Sequence, residues 1–103
     1  MGLFVTNVFT AKETKTATVG TGAVVALAGF AFGAQNVINV KRLVITAGAN
    51  PVRITWSGQD PTSSLGHYIA ALGNYTLDGP INCSKLKSIG IGGDSVTTVT
   101  LEV

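Results

Sequence analysis

Pro51-Val52-Arg53-Ile54-Thr55-Trp56 and, at the C-terminus, Thr98-Val99-Thr100-Leu101-Glu102-Val103 alternate apolar and polar residues one for one. Successive side chains of a strand point to opposite faces, so Val52, Ile54 and Trp56 share one face and Arg53 and Thr55 the other. In the last segment Val99, Leu101 and Val103 oppose Thr98, Thr100 and Glu102. Each segment therefore reads as a strand with one buried face and one wet face, with Trp56 packed in the core.

Working outward, turn residues cut the chain into similar pieces. Lys12 to Val19 reads as a strand ending at Gly20-Thr21-Gly22, and Ala23 to Leu27 as another. Ala28 to Ala34 is rich in glycine and phenylalanine, a second strand or a loop with Phe30 and Phe32 pointing the same way. After a break at Gln35-Asn36, Val37 to Thr46 reads as a strong strand. The Ala47–Pro51 turn, where Gly48 and Asn50 tolerate positive φ, predicts a hairpin into Val52–Ser57. Gly58 to Gly66 is the longest polar loop, followed by short strands at His67–Ala71 and Asn74–Leu77 and a turn at Asp78-Gly79-Pro80. Lys85 to Ile91 and Ser95 to Val103 complete the set, joined by a hairpin turn at Gly92-Gly93-Asp94. Some eight short strands, with turn signals about every 8–12 residues, predict an all-β fold. The architecture is a single β-sandwich or jelly-roll-like domain over residues 11–103, antiparallel and almost without helix. Residues 1–10 read as an extended N-terminal arm or edge strand.

Composition narrows the classes of function. At 103 residues the chain makes one domain, and only 12% of it is charged. Soluble domains average about 25% charged. A surface built instead from threonine, serine, asparagine, glycine and apolar groups implies that much of it is covered in use, by copies of the chain or by a larger assembly. The net charge of +2 and the scattered basic residues (Lys12, Lys15, Lys41, Arg42, Arg53, Lys85, Lys87) form no nucleic-acid footprint. Thr16 to Val40 carries no charge, but its dense apolar part, Ala23 to Ala34, is only 12 residues. A membrane-spanning helix needs about 20, and the glycines break the run, so no membrane partner is expected.

No constellation for chemistry emerges, and the chain is expected not to be an enzyme. Cys83 is the only cysteine, which excludes an internal disulfide, and it reads as a small apolar residue. Asp60, Ser63, Ser64 and His67 lie close in sequence, but a polar loop supplies neither rigid scaffold nor oxyanion site. An Asx-type turn capped by Asp60 and stiffened by Pro61 explains them. Asp60, Asp78 and Asp94 are too isolated to converge on calcium. Gly90-Ile91-Gly92-Gly93 opens no helix on which to hold a phosphate. No cofactor and no metal is expected.

From Asn50 to His67 the chain is similar to small structural proteins of tailed bacteriophages. The features that carry the likeness are a strand ending in Gly58, the Pro61-Thr62-x-x-x-Gly66 loop, the paired Lys85-Leu86-Lys87-Ser88-Ile89-Gly90-Ile91 segment and the Val96–Val103 ending. The resemblance covers about half of the chain, the C-terminal half. It implies a β-sandwich virion component on the capsid surface. A decoration or cement protein fits best, contacting the major capsid protein or other virion proteins, with a homo-oligomer, preferably a trimer, as its working form. It carries no catalytic residue. The residues expected to make contacts are Leu3, Phe4, Val5, Phe9, Phe30 and Phe32. Two alternatives stand beside it: a tail or adaptor structural protein, and a carbohydrate-binding sandwich using Tyr68, Tyr75 and loop 58–66.

Overall fold

A computed structural model describes residues 9–103. The chain forms eight strands: β1 (Ala11–Val19), β2 (Val25–Ala26), β3 (Arg42–Thr46), β4 (Val52–Thr55), β5 (His67–Ile69), β6 (Asn74–Asp78), β7 (Lys87–Gly90) and β8 (Ser95–Glu102). Leu27–Phe30 is a single 3-10 turn, and Pro80–Ser84 a one-turn helix, α1. Two four-stranded antiparallel sheets result, ordered β1-β8-β3-β6 and β2-β7-β4-β5. The all-β fold expected from the alternation is the one observed. No helix among the described residues is long and apolar enough to cross a membrane.

Leu43, Ile45, Val99 and Leu101 from the first sheet meet Val52, Ile54 and Ile69 from the second, all at most 3% exposed. Burying two apolar faces against each other is what stabilises a sandwich, at about 1.5–3 kcal/mol for each large side chain removed from water. Four hydroxyl residues are buried as well, and each has a partner. Ser88 donates to the carbonyl of Val25 (2.8 Å), Thr55 to that of Gln59 (2.6 Å) and Thr97 to that of Ser95 (3.4 Å), while Ser95 Oγ accepts the Gly48 N–H (2.9 Å). The outer face of the first sheet is laced by cross-strand pairs: Thr14 with Thr100 (2.8 Å), Thr46 to Asn74 (2.7 Å) and Arg42 to Asp78 (2.9 Å).

Two expected hairpins are absent. β3 and β4 lie in different sheets, as do β7 and β8, so the turns at 47–51 and 91–94 are arches across the core. Among consecutive strands only β4 and β5 are neighbours in one sheet. β3 is central, paired on both sides by β8 and β6, and β4 likewise by β7 and β5. Alternation creates an apolar face on each strand without saying whether those faces lie side by side or opposite each other. The backbone of the first arch is spent on neighbours: Ala47 N–H donates to Gly73 and Leu72 N–H to Gly48, both at 2.9 Å. A Cβ on Gly48 would fall 2.5 Å from the Val96 carbonyl oxygen, so only glycine lets the arch lie against β8.

The segment 23–41 also departs from expectation. Instead of long strands it holds the two residues of β2, the 3-10 turn, and a turn over 34–39. Ala31 (φ 56°) and Asn39 (φ 63°) adopt left-handed backbone, the first closing the 3-10 turn and the second the turn over 34–39. β2 is too short to cover β1. Glu13, on the inner side of β1, instead reaches across to this connection and accepts from Gly33 N–H and Asn36 Nδ2, both at 2.9 Å.

Candidate functional site

The connection 27–40 and α1 face each other across an apolar cleft of about 460 Å3. It lies at the end of the sandwich where β3 begins and β6 ends, since Arg42 and Asp78 are paired there. Leu27, Ala28, Phe32, Val37 and Val40 line one side, Pro80 and Cys83 the other, with Asn39 and Ser84 as polar members. Phe30, 2% exposed, supports this wall from beneath by stacking on half-buried Phe32 at 6.2 Å between ring centroids. α1 stands where a plain turn was expected. Gly79 turns the chain at φ 99°, and Pro80 opens the helix, where its fixed φ and missing N–H cost nothing. Asn82 Nδ2 donates to the Asp78 carbonyl (3.1 Å) and Ser84 Oγ to that of Ile81 (2.6 Å), holding the single turn together.

The expected contact residues fall in three places. Leu3, Phe4 and Val5 lie outside the described residues. Phe9 lays its ring over the guanidinium of Arg42, 3.6 Å from Cζ to the centroid, on the outer face of the first sheet. Phe30 is a core residue, and of the three that lie among the described residues Phe32 is the one that lines the cleft.

The polar loop 56–66 is built as a rigid brace. Arg53 donates from Nε to the Ser63 carbonyl (3.1 Å) and from Nη1 to that of Gly66 (2.9 Å). Lys87 Nζ reaches Asp60 Oδ1 (2.8 Å) and the Gly58 carbonyl (3.2 Å). The turn is capped by Thr62, whose hydroxyl accepts from the N–H of Leu65 (2.9 Å) and Ser64 (3.2 Å), rather than by Asp60, which is drawn out to Lys87. The fully buried residue of this loop is Pro61.

His67 stacks on Trp56 at 4.3 Å, and Tyr75 joins at 5.6 Å from Trp56, closing the core between the edge strands β5 and β6. Tyr68 points outward from β5 beside Arg53, 5.4 Å from its guanidinium, whereas Tyr75 packs inward from β6. The two tyrosines thus face different surfaces and do not form one sugar platform. Cys83 is buried and donates to the Leu77 carbonyl (3.4 Å). Burial, aided by the charge of Asp78, pushes its thiol up to about 11. At neutral pH it is a packing residue in the cleft wall, far from the depressed range of reactive thiols. No group of three metal-ligating side chains occurs among the described residues.

Compared with known protein families, with curated proteins and with solved structures, the chain matches none.

Proposed function

We propose that this protein is a virion structural protein of the capsid decoration or cement type, working by contact with copies of itself and with the shell. The observation that carries the reading is where its apolar surface lies. Val37, Ile38 and Ile81 are 40%, 54% and 70% exposed and sit on or beside the lining of the cleft. With Leu65, Tyr68, Leu72 and Val96, 44–76% exposed elsewhere on the domain, they leave apolar side chains open at more than one place, the kind of surface that neighbours cover.

The charges point the same way, because many are occupied internally. Arg42 bridges Asp78 and Glu102, Lys87 holds Asp60, and Glu13 pairs with Lys15 at 3.7 Å. With a net charge of only +2, copies of the chain repel each other little. The likeness of the C-terminal half to tailed-phage structural proteins supplies the setting.

Heads assembled without this chain, mixed with the purified protein and sedimented, test the proposal. Saturable uptake at a fixed copy number, with heads that then survive higher temperature, is the expected result. Heads that pellet without it at any protein concentration would sink the reading.

A further inference from the structure

We infer that the free edge of β1 pairs with the β1 edge of a second copy of this chain, antiparallel about a two-fold axis through Thr14. The inference deepens the contact-protein reading and rests on it.

β1 is nine residues long and lies at the end of its sheet, so one of its sides is used and the other is open. Thr10 and Val103 exchange two hydrogen bonds of 2.9 Å, and from there β8 turns every second residue toward β1: Leu101, Val99 and Thr97. Glu102, between the first two, turns to its other neighbour and accepts from Lys41 N–H (2.8 Å). Leu101, Val99 and Thr97 stand opposite Glu13, Lys15 and Ala17, whose backbone groups are therefore taken by β8. The N–H and C=O groups of Thr14, Thr16 and Thr18 point the other way, and among the described residues no backbone group meets them. All three threonines are exposed.

An open edge is a template for another strand, and the charges on it decide which strand it accepts. Antiparallel self-pairing through these threonines allows few registers, and the charges separate them. With the axis at Lys15 or at Glu13, like charges meet across it. With the axis at Thr16, Lys15 faces Ala17 and Glu13 faces Val19, and neither charge is answered. With the axis at Thr14, Glu13 of each copy faces Lys15 of the other. These are positions between hydrogen-bonded pairs, where facing side chains come closest. Both groups have capacity to spare. Glu13 spends Oε1 on Gly33 and Asn36, and its Oε2 lies a long 3.7 Å from its own Lys15, whose side chain is 44% exposed. The same charges that keep foreign strands off thus fit a second copy. The β-bulge between Ala11 and Glu13 confines the pairing to the middle of the strand. Because one patch serves both copies, the contact closes at a dimer instead of growing into a fibre.

Sedimentation velocity on the full chain, with charge-reversal variants, decides the matter. Glu13→Lys sets a lysine against Lys15 across the axis, and Lys15→Glu sets a glutamate against Glu13. Each alone is expected to raise the dimer dissociation constant about tenfold or more, because two cross-strand pairs turn from attractive to repulsive. Mixed in equal amounts, the two variants are expected to form a heterodimer, since lysine then faces glutamate at both places. That recovery would also show that both variants fold. A parent chain that stays monomeric, or that forms only trimers, overturns the inference. So does self-association unmoved by either reversal, and so do variants that fail to recover on mixing. Uptake on heads is scored separately. A monomer that still binds heads would refute the β1 pairing and leave the contact-protein reading standing, whereas a β1 dimer that ignores heads would do the reverse.

Discussion

Single residues carry the joints of this sandwich. At Gly48 the first arch lies so close to Val96 that a methyl group has no room. Gly48→Ala should therefore cost about 1–3 kcal/mol, the usual range for overpacking a tight site, read as a lower denaturant midpoint at unchanged slope. Cys83 tests the cleft wall in another way. With a buried thiol pushed up to about 11, it should resist alkylation near pH 8 in the native protein and react promptly once urea unfolds the chain. Fast labelling of the folded protein would mean that α1 opens readily.

At the scale of elements, the 27–41 connection is the least regular part of the molecule, and its tether is electrostatic. Asn36 and Gly33 hold the Glu13 carboxyl below its ordinary value of 4.5, outweighing the opposing effect of desolvation, with Lys15 assisting. A carboxyl with a depressed folded-state pKa stabilises the fold above its ordinary pKa. That contribution is lost as pH falls from near 4.5 through the lower folded value. Hydrogen exchange at the Gly33 amide should accordingly quicken, relative to the core strands, as pH drops through that window. In Glu13→Gln the connection should be looser at neutral pH and show no such acid step. An unchanged Gly33 amide in the variant would show that packing of Phe30 and Phe32 suffices. This element was also the hardest to foresee. Its apolar residues invite strands, but the chain turns through left-handed backbone at Ala31 and Asn39, neither a residue that announces positive φ by being glycine.

On the scale of the whole molecule, nearly every connection passes from one sheet to the other. Contacts are therefore non-local, and folding should occur in milliseconds to seconds, the range of all-β sandwiches. The same topology makes a sharper forecast. A peptide of residues 41–57, which reads as a hairpin, should show no cross-strand NOEs in isolation, because β3 and β4 pair with other strands. A well-populated hairpin in that peptide would mean that local pairing competes with the native arch.

Alternation at Val52–Trp56 and Thr98–Val103 was enough to specify strands and the all-β class, because period 2 is a property of the backbone alone; the faces follow it except at the end of β4, where Thr55, expected on the wet face, is buried on the Gln59 carbonyl and Trp56 is only partly buried. Composition likewise showed a chain short of charge. The pairing of strands was not legible. Nothing local tells an arch from a hairpin, since both need a glycine-bearing turn between two apolar faces. The cleft was hidden for a related reason. Its walls join residues 27–40 to residues 80–84, and α1, one turn long, has no helical period to detect. Only closure of the two sheets brings these segments together, and the burial of Phe30, Val40 and Cys83 against one another's neighbours decides where the chain leaves an apolar surface open.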